Sequence, residues 1–132
     1  MNVLFYSSAD DEIGRHLQKI IGEIVPEDAI EIYRTIHHLT GRLHRPRYNL
    51  NLAIVMAASR EELSEIVCLS DLLWDMRIIL ILPDDQRDTI SKGHLLRPRF
   101  LSYADSDFSD VAAVLTKMFE NTHLTRGVRD HI

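Results

Sequence analysis

Three groups of residues in this 132-residue chain could do chemistry. The first is a set of histidines, His37, His38 and His44, whose imidazoles could ligate a metal. As sequence neighbours on a helix, His37 and His38 point about 100° apart. Neither has a His, Asp or Glu four residues on, and His44 lies two turns beyond His37. They read as solvated helix histidines, and no metal site is expected. The second group is the run Ser7-Ser8-Ala9-Asp10-Asp11-Glu12, placed where a loop could cradle the phosphate of a flavin. It has no glycine until Gly14, and its three acids would repel a phosphate that a helix N-terminus might attract. The third is the general supply of Ser, His and Asp, but no Gly-x-Ser-x-Gly elbow sets up a nucleophile. No enzyme activity and no cofactor are expected.

The charges need elements to hold them, and those elements sort them by sign. Asp10, Asp11, Glu12, Glu61, Glu62, Asp84, Asp85, Asp105 and Asp107 all follow apolar runs, whereas Arg42, Arg45, Arg47, Arg77, Arg97 and Arg99 precede them. In a parallel α/β fold, acids then meet the positive ends of the helices and arginines the negative ends. The functional alternative is a small-ligand or divalent-cation sensor with its crevice at Ser7, Asp10, Asp84 and Asp105. An arginine edge around Arg42–Arg47 could likewise grip an anionic partner.

The central element is Leu50–Ser59, a run in which neither alternating set, Leu52/Ile54/Met56 nor Ala53/Val55/Ala57, carries charge. A strand that can face water on neither side belongs inside a sheet covered by helices on both faces. Asn2–Tyr6 and Arg77–Leu82 read the same way, with shorter strands at Ala29–Tyr33 and Arg99–Tyr103. Between them the spacing predicts five helices. The first carries Ile13, Leu17, Ile20, Ile21 and Ile24 on one face and closes at Pro26. The second spans Arg34–His44. The third runs from Arg60 to about Trp74, behind a capping-box spacing Ser59-Arg60-Glu61-Glu62. Asp84–Leu96 is weakened by Thr89, Ser91 and Gly93, and the last helix follows Asp107 or Ser109. Right-handed crossovers give a doubly wound parallel α/β sheet of order 2-1-3-4-5. The first and last helices should cover one face and the middle three the other. One domain over residues 1–122 and a tail over 123–132 are expected.

Composition narrows the partners. A net charge of -5 disfavours nucleic acid and anionic membranes. The single cysteine, Cys68, excludes an internal disulfide and fits a reducing compartment. Without a leader or an apolar run of transmembrane length, a cytoplasmic protein is expected.

This (βα)5 layout, over roughly residues 2–120, resembles the receiver domain of bacterial response regulators, which has a flavodoxin-like fold. The resemblance implies an acidic pair for Mg2+ at Ser7 and Ser8 and a phosphoacceptor aspartate at Met56. It implies a hydroxyl at Leu82 or Pro83 and a lysine on or near Tyr103. Each group is absent or displaced, so the chain resembles a pseudo-receiver, a scaffold without its phosphoryl-transfer chemistry. The resemblance implies a domain that acts by binding other proteins, and a stand-alone domain without an output domain is expected. Self-association as a homodimer, or binding to a protein partner, is expected partly through the third helix. There Leu63, Val67, Ser70, Leu73 and Trp74 cluster on one side, Ile66, Leu69 and Met76 extend that stripe, and Leu72 falls on the opposite side. Ile90 or Leu95 from the weak fourth helix would extend the patch.

Overall fold

The structure, a computed structural model, describes residues 2–8, 11–46 and 48–119. Asp10, Arg47 and the 123–132 tail lie outside them. Five strands, β1 (Asn2–Ser7), β2 (Ile30–Tyr33), β3 (Leu50–Met56), β4 (Arg77–Leu82) and β5 (Phe100–Tyr103), form one parallel sheet of order β2-β1-β3-β4-β5. The helices are α1 (Glu12–Ile24), α2 (Ile36–Leu43), α3 (Arg60–Val67), α4 (Ser70–Leu73), α5 (Arg87–Gly93) and α6 over 109–119. Short 3-10 turns occupy Glu27–Ala29 and His94–Leu96. No helix among the described residues is long and apolar enough to cross a membrane.

The period-2 alternation of the strands splits the core in two. On one face Val3, Phe5, Leu52, Ile54, Ile79 and Ile81 pack under Leu17 and Ile21 of α1 and Val111 and Leu115 of α6. On the other, Leu4, Tyr6, Ala53, Val55, Leu80 and Leu82 pack under Leu39 and Leu43 of α2, Leu63 and Ile66 of α3, and Leu73 of α4. The expected distribution of helices over the two faces is the observed one. Burying each large aliphatic side chain is worth roughly 1.5–3 kcal/mol, so this double core is the main stabilising term.

The third helix departs from expectation. It is two helices, α3 and α4, because the backbone leaves helical register after Val67 and turns at Cys68 and Leu69. The amides of Leu69 and Leu72 then bond three residues back, to Ile66 and Leu69. That turn resets the phase of everything after it. Trp74, expected within the apolar stripe, is 76% exposed, and Leu72, expected on the polar side, packs half-buried against the core.

Two of the three weak residues of the fourth helix prove to be packing residues. Thr89 and Gly93 are the buried positions of α5. A Cβ on Gly93 would sit 3.0 Å from Cδ2 of Leu82 and 3.1 Å from Cδ2 of Leu80. Glycine is there because the helix lies close on β4.

Candidate functional site

In this topology the connections after the adjacent strands β1 and β3 run to opposite faces of the sheet, and the crevice beyond their carboxyl ends is the expected ligand position. The strand register sets one row of side chains across that edge: Ser7 beside Met56, Met56 beside Ile81, and Ile81 beside Ser102. Ser7, Ile81 and Ser102 are fully buried and Met56 nearly so. The Ser7 hydroxyl donates to the Met56 sulfur at 3.8 Å, and the Ser102 hydroxyl donates to Asp110 Oδ2 at 3.0 Å. The row is neutral and closed. Leu82 is buried too, Tyr103 is half-buried, and Ser8 is exposed.

Beside the row, on the face that α3 covers, Glu62 joins the strand ends. The Ser59 hydroxyl caps α3 by accepting the Glu62 amide at 3.1 Å, as a capping box requires. The reciprocal arm differs: Glu62 Oε1 accepts the Ala58 amide at 3.0 Å rather than that of Ser59. Its Oε2 accepts the Tyr6 hydroxyl at 3.3 Å and the Ser8 hydroxyl from the neighbouring strand. One carboxylate thus ties the start of α3 to the ends of β3 and β1. Burial, and next the Glu62 charge, push the Tyr6 phenol well above its ordinary pKa of 10.0, so it stays a donor.

Among the described residues, the acids of the sensor alternative are already engaged or dispersed. Asp84 pairs with Arg60 Nε at 3.0 Å and accepts the Gln86 amide at 3.0 Å. The adjacent Thr89 hydroxyl, then the Gln86 amide, hold its carboxyl below the usual aspartate value. Thr89 Oγ1 is nonetheless buried without a partner in hydrogen-bond geometry, so its effect on Asp84 is one of proximity. Asp105 is exposed in the turn after β5, and Ser7 is sealed under Met56. Asp107 accepts the amide and hydroxyl of Ser109, which lower its pKa and fix the entry to α6. No three His, Cys, Asp or Glu side chains among the described residues are grouped to hold a metal ion.

At the opposite edge, Arg42 makes a two-point pair with Glu31, Nε to Oε1 at 2.6 Å and Nη2 to Oε2 at 3.3 Å. The Tyr33 hydroxyl adds a third bond to Glu31 at 2.8 Å. Arg42, and then Tyr33, hold the Glu31 carboxyl below the ordinary glutamate range. Arg42 therefore serves β2 as well as the negative end of α2. His37, His38, His44 and Arg45 line a groove of about 410 Å3 beside it. His38 Nδ1 lies 2.9 Å from the Thr35 hydroxyl and His44 Nδ1 2.9 Å from the Thr40 carbonyl. A larger groove, about 540 Å3, lies between α1 and the β5–α6 loop, with Ile13, His16 and Phe108 among its lining.

Of the residues expected at an interface, Leu69, Leu72 and Ile90 are half-buried against the core, and Leu95 is 62% exposed. Sequence reasoning missed Trp74 as a surface residue, because it took 60–74 as one helix. It also missed Glu62 as the bridge between the strand ends, although the capping-box spacing had singled that residue out.

No family model matches the chain, and no curated protein matches it. Among solved structures it is similar to the crystal structure of a protein from Burkholderia pseudomallei described as pilus assembly-related. The two share 18% identity at a TM-score of 0.60, over 87% of this chain and 90% of that one. At that identity the likeness is one of fold: a flavodoxin-like α/β domain.

Proposed function

We propose that this chain is a pseudo-receiver, a receiver-like signalling domain that works by binding other proteins rather than by catalysis. The observation that carries the reading is the buried, uncharged row Ser7–Met56–Ile81–Ser102 at the strand ends. Phosphoryl transfer needs a nucleophilic oxygen, a metal to neutralise developing charge, and a cation opposite it. A thioether stands where the receiver resemblance puts the nucleophile, and the Glu62 carboxylate at the ends of β1 and β3 is spent on Tyr6, Ser8 and Ala58. The pilus-assembly description belongs to the Burkholderia protein, and it is compatible with a chain that acts through contact. A cytoplasmic location goes with this reading.

Incubation with acetyl phosphate and Mg2+, followed by intact-mass measurement, tests it. No adduct is expected, and beryllofluoride with Mg2+ should leave the melting temperature unchanged. An acid-stable, base-labile phosphoryl adduct would overturn the reading.

A further inference from the structure

The break between α3 and α4 leaves an apolar pair on the surface. Trp74, just after α4, is 76% exposed, and Leu95, in the His94–Leu96 turn that packs against α4, is 62% exposed. Leu69 and Leu72 lie half-buried on the same helical stretch. Charge divides this patch. Exposed Asp71, three residues before Trp74, and exposed Asp75, just after it, stand on the α4 side, and exposed His94 and Arg97 flank Leu95. No hydrogen bond or ion pair among the described residues uses the Asp71 carboxylate or the Arg97 guanidinium.

We infer that this patch docks a second copy of the same chain about a two-fold axis, with Trp74 and Leu95 at its centre and Asp71 of each copy beside Arg97 of the other. In a two-fold interface residue i meets j while j meets i, so a patch acidic at one end and basic at the other complements itself. A partner of one sign would be attracted to one half and repelled by the other. Exposed tryptophan and arginine beside a leucine are also the residue types that dominate interface energetics when desolvated. The inference deepens the interaction-domain reading, rests on it, and names the partner.

Trp74 is the chain's single tryptophan, so the interface carries its own reporter. Sedimentation equilibrium from low to high micromolar concentration should show the mass rising from 15.3 kDa toward the dimer. Trp74 emission should shift to the blue along the same isotherm as the indole leaves water. Asp71→Arg and Arg97→Asp should each weaken association about tenfold or more, because each sets like charges face to face twice per dimer. Aspartate is tolerated at the left-handed backbone of Arg97, whose φ is 52°. Mixed in equal amounts, the two variants should associate again, since both contacts become opposite pairs. Leu95→Asp should also give a monomer.

A wild type monomeric throughout, a dimer without the emission shift, single variants that associate normally, or a mixture that stays monomeric would each overturn the inference. None of these results bears on the phosphodonor assay, so the interaction-domain reading stands or falls separately.

Discussion

The Ser7 hydroxyl lies 3.8 Å from the Met56 sulfur, a donor and a weak acceptor joining two strands where a phosphorylation site would need two carboxylates. Met56→Asp should therefore not install phosphoacceptance, since Ser7 and Ser8 still offer a metal only neutral hydroxyls. Met56 is 3% exposed, and a new carboxylate there should lower stability by about 1–3 kcal/mol. Urea unfolding measures the loss, and acetyl phosphate with intact-mass detection measures the chemistry. A variant that takes up phosphate would show that the neighbouring acids can hold the metal.

Glu62→Ala should destabilise by about 1–3 kcal/mol, because three donors lose one acceptor. Glu62→Gln keeps an acceptor oxygen and should recover part of that loss. Removing the charge should also bring the Tyr6 phenol back toward its ordinary value, while burial keeps it raised. Alkaline titration at 295 nm reports all four tyrosines, and the difference from a Tyr6→Phe variant isolates Tyr6. An unchanged tyrosine titration in Glu62→Ala would remove Glu62 as its partner.

Glu31 should make stability depend on acid. Its folded pKa lies below the ordinary 4.5, so the folded state favours the carboxylate. The contribution is fully present above 4.5 and is lost as pH falls through the lower folded value. Glu31→Gln should cost about 1–2 kcal/mol at neutral pH, since it leaves a largely buried Arg42 with a weaker partner. It should also flatten this part of the stability curve, as measured by urea midpoints from pH 7 downward.

Leu72 and Trp74, close in sequence, should behave oppositely in the monomer. Leu72→Asp places a charge against the core and should cost about 1–3 kcal/mol. Trp74→Ala, at a position 76% exposed, should stay within about 0.5 kcal/mol. Both are to be measured at concentrations low enough to exclude association. Leu72 variants thus report on folding, and Trp74 and Leu95 variants on contact between copies.

The strands were legible because their composition leaves no face for water. Leu52–Met56 and Ile78–Leu82 can be placed only at the centre of a covered sheet, and the order of the five strands follows from crossover handedness. The Ser7–Met56 juxtaposition was likewise legible, because strand ends align by spacing. The break after Val67 was not. Its residues, Cys68 and Leu69, carry no breaker signal, and a periodicity of about 100° per residue runs through them unchanged. That one missed turn exchanged the expected positions of Leu72 and Trp74. Gly93 misled for a related reason: helix propensity counts glycine as a cost, whereas its value here is the approach of α5 to Leu80 and Leu82. Glu62 was legible as a cap, but its second role needs Tyr6 and Ser8, which lie far away in sequence and only the sheet brings near.

The strand order also fixes how the sheet can grow as the chain leaves the ribosome. With β2-β1-β3-β4-β5, β2 adds to one side of β1 and β3 to the other, and β4 and β5 then join the newest edge in turn. No strand has to be inserted between two already paired, so no finished pairing must open to admit a later one. Each crossover reaches only to the edge its own predecessor has just made, apart from the step from β2 across β1 to β3. That step is the longest-range pairing the sheet requires, and the loop closure it demands is the expected slow event in assembly. β3, the central strand of the sheet, is thus also the one whose arrival commits the two halves of the chain to a single core.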